Sequence, residues 1–386
     1  MACLTQNSKF GELLELVTEK GIDGMSEPVA ILLNLAMRLE REDFIQATAY
    51  ERTAVRKDYS NGFKPRTIKT RLGELDLQIP QVRNGGFYPQ SLEKGIRSER
   101  ALKLALAEMY ICGVSTRKVA KITEQMCGFD ISSAQVSRAA AELDELLEEW
   151  RNQPLGCFPY VYLDARYESV RHGGHVVDCA ALIAIGVRED GKRQVIGVSV
   201  ALSEQEVHWR SFLQSLQGRG LHGIKLFISD DHAGLKAARK SIFPSVPRQR
   251  CQFHLQLNAQ GYIPSKSMKK PVAADIRAIF TAPSNEEALR LLSIFIEKYQ
   301  KKAPKLTEWA EKNIPEGLVV FQFPSEHQKK IRTNNMVERV NKEIRRRTRV
   351  ASIFPNDKSC LRLISAVLME ISEDWLTGRA YLKFSS

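Results

Sequence analysis

The sequence predicts a mixed α/β protein in which a strand-rich section lies between helical sections. Apolar residues recur at helical spacing over residues 10–57 and again over residues 98–150. From Phe158 onward, three consecutive β-rich segments lead into a strand–helix–strand alternation. Between about Leu257 and Glu326 the apolar spacing is helical again, so we expect an all-helical insertion that interrupts the alternation.

The amino-acid composition limits the kinds of molecule that the protein is expected to bind. The chain has 386 residues, 43% of them hydrophobic, which suffices for two or three domains with their own cores. A formal net charge of +12 favours a polyanionic partner such as nucleic acid. Seven irregularly spaced cysteines argue against a disulfide framework. We find no signal peptide and no membrane-length apolar run, so we expect a cytoplasmic, DNA-associated protein with no membrane partner.

The first elements along the chain are helices followed by a hairpin. Apolar residues fall at i, i+3, i+4 and i+7 from Phe10, which predicts an N-terminal helical segment. The segment TIKTRLGELDLQIPQV alternates apolar and polar residues around the pair Gly73-Glu74. Because glycine suits the first position of a type II′ turn, we expect a β-hairpin that turns at this pair.

Two further helices resemble a helix-turn-helix. Their N-terminal caps are expected at Ser115 and at Ser132 or Ser133. In that motif the second helix enters the major groove by its N-terminal end, so Gln135, Ser137 and Arg138 would face bases. The cations of the first helix would face phosphates: Arg117, Lys118 and Lys121. The alternative is an ordinary helical hairpin with a solvated charged face.

The strand-rich section begins after the stretch Arg151–Tyr160, whose proline and glycine are typical of a linker. Three antiparallel strands leading into a β-α-β unit is the element order of a ribonuclease H-like domain. The last strand of that order is expected near Arg250 to His254. Element order alone does not establish a function.

Three carboxylates are candidates for metal-dependent phosphoryl transfer, which uses two divalent cations about 3.5–4 Å apart. Asp164 lies in an apolar strand, where a charge is costly unless it is paired or on a metal. Asp230 and Asp231 end the strand IKLFIS, where open α/β sheets place their ligands. Mg²⁺ prefers such oxygen ligands and keeps several waters.

The third carboxylate is expected from a basic helix that packs against the sheet. Glu338 shares one face of that helix with Asn341 and Arg345. The segment IRRRTR follows, and we expect three of its arginines to hold the DNA backbone: Arg345, Arg346 and Arg347. The alternative is a plain solvated basic face.

Four segments resemble the signature blocks of Mutator-type transposases of bacterial insertion sequences: LDARYESVR, SDDHAGL, CQFH and TNNMVERVNKEIRRRTRV. The likeness runs from about Arg56 to Leu376. It implies a ribonuclease H-like catalytic domain in which Asp164, Asp230 and Glu338 bind two Mg²⁺ ions, or Mn²⁺ in their place. It also implies cleavage at element ends and 3′-hydroxyl attack on target DNA, by a homo-oligomer that pairs two terminal inverted repeats.

Some residues keep two interpretations. The family block leaves the position of Asp231 variable, so it favours Asp230 as the ligand and leaves Asp231 to cap the next helix. Cys251 and His254 form the family's C-x2-H pair, which is half of a zinc ligand set, so a structural or DNA-positioning role is favoured. Trp209 could stack on an unpaired base, but its helical spacing with other apolar residues favours the core.

These expectations divide the chain into four parts: an N-terminal helical segment (1–55), a DNA-binding region with the hairpin and helix-turn-helix (56–155), a catalytic domain (156–256 and 326–386) and a helical insertion (257–325). Two rival functions stay open. One is a structure-specific DNA nuclease on the same fold. The other is a non-catalytic DNA-binding regulator that uses the helix-turn-helix alone.

Overall fold

The computed structural model describes residues 11, 13–21, 24–92, 94, 98–350 and 352–384. Phe10 and the start of the expected N-terminal helical segment lie outside these residues. The chain forms two compact units, Met1–Glu142 and Leu143–Ser386. Both combine helices with a sheet, so the predicted mixed α/β class is confirmed. No helix among the described residues is both long and apolar enough to cross a membrane.

The first unit begins with helices and a two-stranded sheet. Helix α1 covers residues 13–20, and the elements that follow are α2 (Ser26–Ile45), β1 (Ser60–Thr70) and β2 (Gly73–Val82). The strands pair antiparallel with Thr70 opposite Gly73, which confirms the hairpin. The expected turn at Gly73-Glu74 is wrong, because the loop is Arg71-Leu72. The Thr70 hydroxyl closes it by donating to the Gly73 carbonyl (2.9 Å).

Three helices complete this unit: α3 (Arg100–Ile111), α4 (Thr116–Cys127) and α5 (Ser133–Ala141). Ser115 caps α4, and Ser132 forms a capping box with Gln135 at the start of α5, as the local pattern predicted. Gly128 ends α4 at φ +72°, a conformation that favours glycine. The three helices share one apolar core: Leu102, Leu106, Val119, Phe129, Ile131, Val136 and Ala139.

The second unit is built on a five-stranded sheet that follows helix α6 (Asp144–Asn152). Its strands are β3 (Tyr160–His172), β4 (His175–Val187), β5 (Arg193–Ala201), β6 (Leu226–Ser229) and β7 (Arg248–Arg250). Their order is β5-β4-β3-β6-β7. The first three pair antiparallel, whereas β6 is parallel to both β3 and β7, as expected from the element order.

Helices cover both faces of this sheet. On one face α7 (Glu206–Gly218) and α8 (Ala233–Ile242) bury an apolar cluster that includes Trp209, which confirms its predicted place in the core. On the other face α14 (Asn335–Thr348) and α15 (Asp357–Thr377) pack against β3 and β4. The central strand β3 is therefore buried on both sides over its first half.

A helical segment separates β7 from α14. It contains α9 (Gln252–Ala259), α10 (Lys269–Phe280), α11 (Asn285–Tyr299) and α12 (Pro304–Asn313), and α13 (Ser325–Ile331) follows. The first four helices bury an apolar cluster of their own. The strand expected to reach His254 stops at Arg250, because Gln252 already begins α9. Cys251 and His254 therefore lie at the start of a helix.

Candidate active site

The candidate site starts at Asp164 on the central strand. Its carboxylate is half-buried and accepts two hydrogen bonds, from the Ala165 backbone N–H (3.0 Å) and from the Asn341 side-chain amide (3.0 Å). Asn334, at the start of α14, donates its amide to the Leu163 carbonyl (3.3 Å). These two amides hold α14 across the strand at the position of Asp164.

Asp230 reaches the same place through the sheet. Strands β3 and β6 run parallel, and Leu163 pairs with Ser229. Asp164 directly follows Leu163, and Asp230 directly follows Ser229. The two aspartates therefore lie next to each other where the pairing of β3 with β6 ends. The structure therefore brings the two predicted aspartates together, although 66 positions of sequence separate them.

Glu338 and His254 complete the cluster. The His254 Nδ1 atom lies 3.7 Å from Asp230 Oδ1, and its Nε2 atom lies 3.8 Å from Glu338 Oε1. Ligand atoms of Cys251, His254 and Glu338 all lie within 4.8 Å of one another. The imidazole thus stands between two of the three predicted carboxylates.

The negative charges in this cluster perturb Asp164. Burial raises the pKa of its carboxyl to about 7; the Ala165 N–H opposes that shift, and the charges of Asp230, Glu204 and Glu338 add to it. Glu204, which follows β5, was not predicted, and nothing in its local pattern distinguishes it. It reaches the site only through the sheet order, and its Oε2 atom lies 3.7 Å from His232 Nδ1.

Unpartnered buried polar atoms concentrate at the same place. Among the described residues they include Asp230 Oδ1, Glu338 Oε1, Asn341 Oδ1 and His254 Nδ1. A buried polar atom without a hydrogen-bond partner is unfavourable by about 1–3 kcal/mol, so the unpartnered carboxylate oxygens favour a bound cation or donor. This donor set is rich in oxygen and poor in protein cations, so it fits divalent cations of the Mg²⁺ type.

Cys251 packs inside the site's wall. Its Sγ atom accepts a hydrogen bond from the Asn334 backbone N–H (3.3 Å). Burial raises the pKa of this thiol, which disfavours the thiolate that zinc requires. The contact ties the start of α9 to the start of α14, and it supports the structural interpretation of the C-x2-H pair.

Asp231 faces away into a separate ion cluster. It pairs with Lys236 and with the guanidinium of Arg250 (3.0 Å), which is 2% exposed. Burial by itself raises the pKa of Asp231, but the Lys236 hydrogen bond and the Arg250 charge outweigh it and lower that pKa. The expected capping role is wrong, because His232 is the N-cap of α8 and makes no side-chain capping bond.

The arginines of α14 divide between surface and interior. Arg345 and Arg346 are exposed, and Arg346 pairs with Glu343 (2.6 Å). Arg347 is buried, with its guanidinium on Glu343 (3.1 Å) and Glu370 (3.1 Å). The expectation that Arg347 holds DNA is therefore corrected, because its guanidinium is buried and paired with two glutamates of the same unit.

The predicted DNA-contact residues of the first unit are mostly on its surface: Arg117, Lys118, Lys121 and Arg138 are exposed. Gln135 is half-buried, and its side-chain carbonyl accepts a bond from the Ser132 N–H (2.8 Å). The capping box therefore uses one acceptor position of the Gln135 carbonyl and leaves the amide NH₂ available for a base.

Comparison with known proteins shows which family the sequence resembles. A family model described as "Transposase, Mutator family" matches residues 3–378. The chain is 55% identical, over the full length of both proteins, to the transposase for insertion sequence element IS406 of Burkholderia multivorans. It is 41% identical to the transposase for ISRM5 of Rhizobium meliloti, over 93% of this chain and 90% of that one. It is 36% identical to the transposase for IS256 in transposon Tn4001 of Staphylococcus aureus, over 97% of both.

Asp164→Asn is expected to raise the melting temperature of the metal-free protein at pH 8 and to change it little near pH 4. The folded-state pKa of about 7 lies above the usual 3.8. The corresponding stability is therefore fully present below about pH 4 and is lost as the pH rises through 7. Asparagine removes the charge that causes this loss. Thermal melts in EDTA measure it, with Asp374→Asn on the exposed side of α15 as the control. An equal shift at both pH values would contradict the assignment.

Proposed function

The chain belongs to the Mutator family of transposases, and from this premise we propose that Asp164, Asp230 and Glu338 form a metal-dependent DNA cleavage and strand-transfer site. As an insertion-sequence transposase, the protein acts in DNA transposition. The observation that carries the proposal is the meeting of the three carboxylates, with unpartnered oxygens on Asp230 and Glu338. Two Mg²⁺ ions, or Mn²⁺, are the proposed cofactors.

The proposed fold of the catalytic part is ribonuclease H-like. Three antiparallel strands followed by two parallel ones support this assignment. We assign residues 156–256 and 326–386 to this domain and residues 257–325 to a helical insertion. The separate apolar cluster of α9 to α12 supports the insertion. Residues 56–155 are the proposed DNA-binding region, preceded by the segment 1–55.

Each residue at the site has a proposed task. When bound, the two cations activate the attacking oxygen and stabilise the leaving oxygen of an in-line displacement. Asn341 and the Ala165 N–H fix the orientation of Asp164, and Glu338 is held in the first turn of α14 by its backbone bond to Asn334. Water and then the freed 3′-hydroxyl are the proposed nucleophiles, so no protein side chain needs to bond covalently to DNA.

DNA is held by cations on both units in this proposal. Arg345 and Arg346 lie on the exposed side of the helix that carries Glu338. In the first unit, Arg138 would read a base and Lys118 a phosphate. The proposed substrates are the terminal inverted repeats and target DNA, bound by a homo-oligomer. The gathered acidic residues disfavour a regulator that only binds DNA.

Glu338→Gln is expected to abolish Mg²⁺-dependent cleavage and strand transfer and to leave binding of element ends nearly unchanged. A metal ligand serves the chemical step, whereas affinity for DNA comes from the cationic surface. Glu343→Gln on the same helix is the control, because Glu343 faces Arg346 and Arg347. Cleavage and joining of labelled end duplexes measure both steps. Retained cleavage in Glu338→Gln would overturn the site, and cleavage without joining by the natural chain would favour a nuclease.

Asp230→Ala and Asp231→Ala are expected to fail in different ways. Loss of Asp230 removes a proposed metal ligand, so cleavage is abolished, while the metal-free protein is not destabilised because the deleted oxygen has no hydrogen-bond partner. Loss of Asp231 leaves the buried Arg250 with fewer partners, so the free energy of unfolding falls by about 1–3 kcal/mol. The Asp231→Ala protein should still cleave DNA at temperatures at which it remains folded. Cleavage assays and thermal melts on both variants decide. The reverse ranking in cleavage would move the ligand to Asp231.

Arg138→Ala and Lys118→Ala test the DNA-binding helices. If Arg138 reads a guanine, its loss costs about 1–3 kcal/mol of discrimination at one base pair. If Lys118 contacts phosphate, its loss weakens binding to all sequences alike and reduces the salt dependence by about one ion. Titrations of terminal and random duplexes at several salt concentrations separate the two effects. Equal losses on both duplexes for both variants would place sequence reading elsewhere.

A further inference from the structure

A groove of about 210 Å³ opens beside the candidate active site, between α9, α10 and the start of α14. Its walls combine aromatic, amide and guanidinium groups: Phe253, Gln256, Arg277, Phe280, Arg332 and Asn335. The Gln252 backbone N–H donates to the Arg332 carbonyl (3.0 Å), which joins two of the walls. The roles proposed for Asp164, Asp230 and Glu338 do not involve any of these groove residues.

The aromatic ring of Phe253 faces solvent in this groove. Phe253 is 44% exposed, whereas Phe280, which also lines the groove, is buried in the helical core. Phe253 directly precedes His254, and their ring centroids lie 5.5 Å apart. His254 in turn lies 3.7 Å from Asp230 and 3.8 Å from Glu338. The exposed Phe253 ring therefore lies beside a histidine that is within 4 Å of two of the proposed metal ligands.

The groove also carries positive charge that the protein does not neutralise. Within the described part of the chain, neither Arg277 nor Arg332 forms an ion pair. Most of the other arginines around the site are paired, as Arg248, Arg250 and Arg347 show. Unpaired guanidinium groups on two walls suit a ligand that brings its own negative charge, such as a phosphodiester.

We propose that this groove binds one unpaired nucleotide of the DNA next to the scissile phosphate. The base stacks on Phe253, its edge meets the amides of Gln256 and Asn335, and Arg277 and Arg332 hold the adjoining phosphates. A base inside a duplex cannot present its face to a protein ring, so the nucleotide must leave the helix first. The inference rests on the proposed function, because it needs DNA at the carboxylates.

Charge favours a nucleotide over a protein segment as the occupant. An apolar partner helix would cover Phe253, but it would also bury two cations without counter-charges, which is costly. A nucleotide satisfies the ring and both guanidinium groups together. Trp209, the other aromatic considered for stacking, is fully buried and cannot do this.

Phe253→Ala is expected to slow cleavage of a fully paired element end about 5- to 100-fold. This range corresponds to about 1–2.8 kcal/mol, within the free energy of one base–aromatic stack, converted at about 1.4 kcal/mol per tenfold. Phe253→Trp should cleave nearly as fast as the natural chain, because the stacking surface is kept. Leu257→Ala is the matched control, since Leu257 is 45% exposed one turn along α9 and does not line the groove.

A second measurement does not depend on cleavage. End duplexes carry 2-aminopurine at successive positions around the cleavage site and are bound by the Glu338→Gln protein with or without Phe253→Ala. Stacking between neighbouring bases in a duplex quenches this fluorophore. Emission should therefore be lower in the Phe253→Ala protein at one position, where the nucleotide that has lost its stacking partner returns to the duplex, and equal at the others. This comparison remains informative even if Glu338 proves not to be a metal ligand.

Three results would overturn the inference while leaving the proposed function intact. One is cleavage by Phe253→Ala at the rate of the natural chain. Another is 2-aminopurine emission that is the same in both proteins at every position. The third is a change in oligomeric state on Phe253→Ala, measured by light scattering, without any change in emission, which would make the ring an interface between copies. If the natural chain does not cleave end duplexes in the presence of Mg²⁺, the proposed function itself is overturned.

Discussion

The parallel pairing of β3 with β6 is the constraint on which the rest of the second unit depends. It ends with Leu163 opposite Ser229, so the next residue on each strand is an aspartate at the same edge. Two carboxylates in one place repel each other and lose hydration, which is why burial and neighbouring charges raise the pKa of Asp164 to about 7. The sheet imposes this cost, and a bound cation would offset it.

Two side-chain amides hold helix α14 at that edge. Asn334 bonds to the Leu163 carbonyl and Asn341 to the Asp164 carboxylate. The Asn334 N–H also meets Cys251, so the strand, α9 and α14 are joined at one residue. Neutral donors can hold a carboxylate without neutralising it. The Asp164 carboxylate is therefore oriented by neutral donors, which leave its negative charge to a ligand.

Local pattern was enough for the parts of this arrangement that depend on periodicity. The order of strands and helices along the chain, the existence of the hairpin and the serine caps follow from periodicity and N-terminal capping, and an aspartate in an apolar strand marked Asp164. Residues defined by tertiary partners could not be found in this way. Glu204 reaches the site only through the sheet order, and Arg347 looks identical in sequence to its exposed neighbours until Glu370 pairs with it.

The same argument limits what net charge says about DNA. The chain has a formal charge of +12, but several arginines near the site are structural. Arg250 is buried against Asp231 and Asn313, and Arg347 is buried against two glutamates. Removing such a residue would unfold the site rather than release a phosphate. Among the described residues, exposed cations such as Arg345 and cations outside ion pairs such as Arg277 and Arg332 indicate the path of DNA better than the total charge does, because a buried and paired guanidinium cannot reach a phosphate.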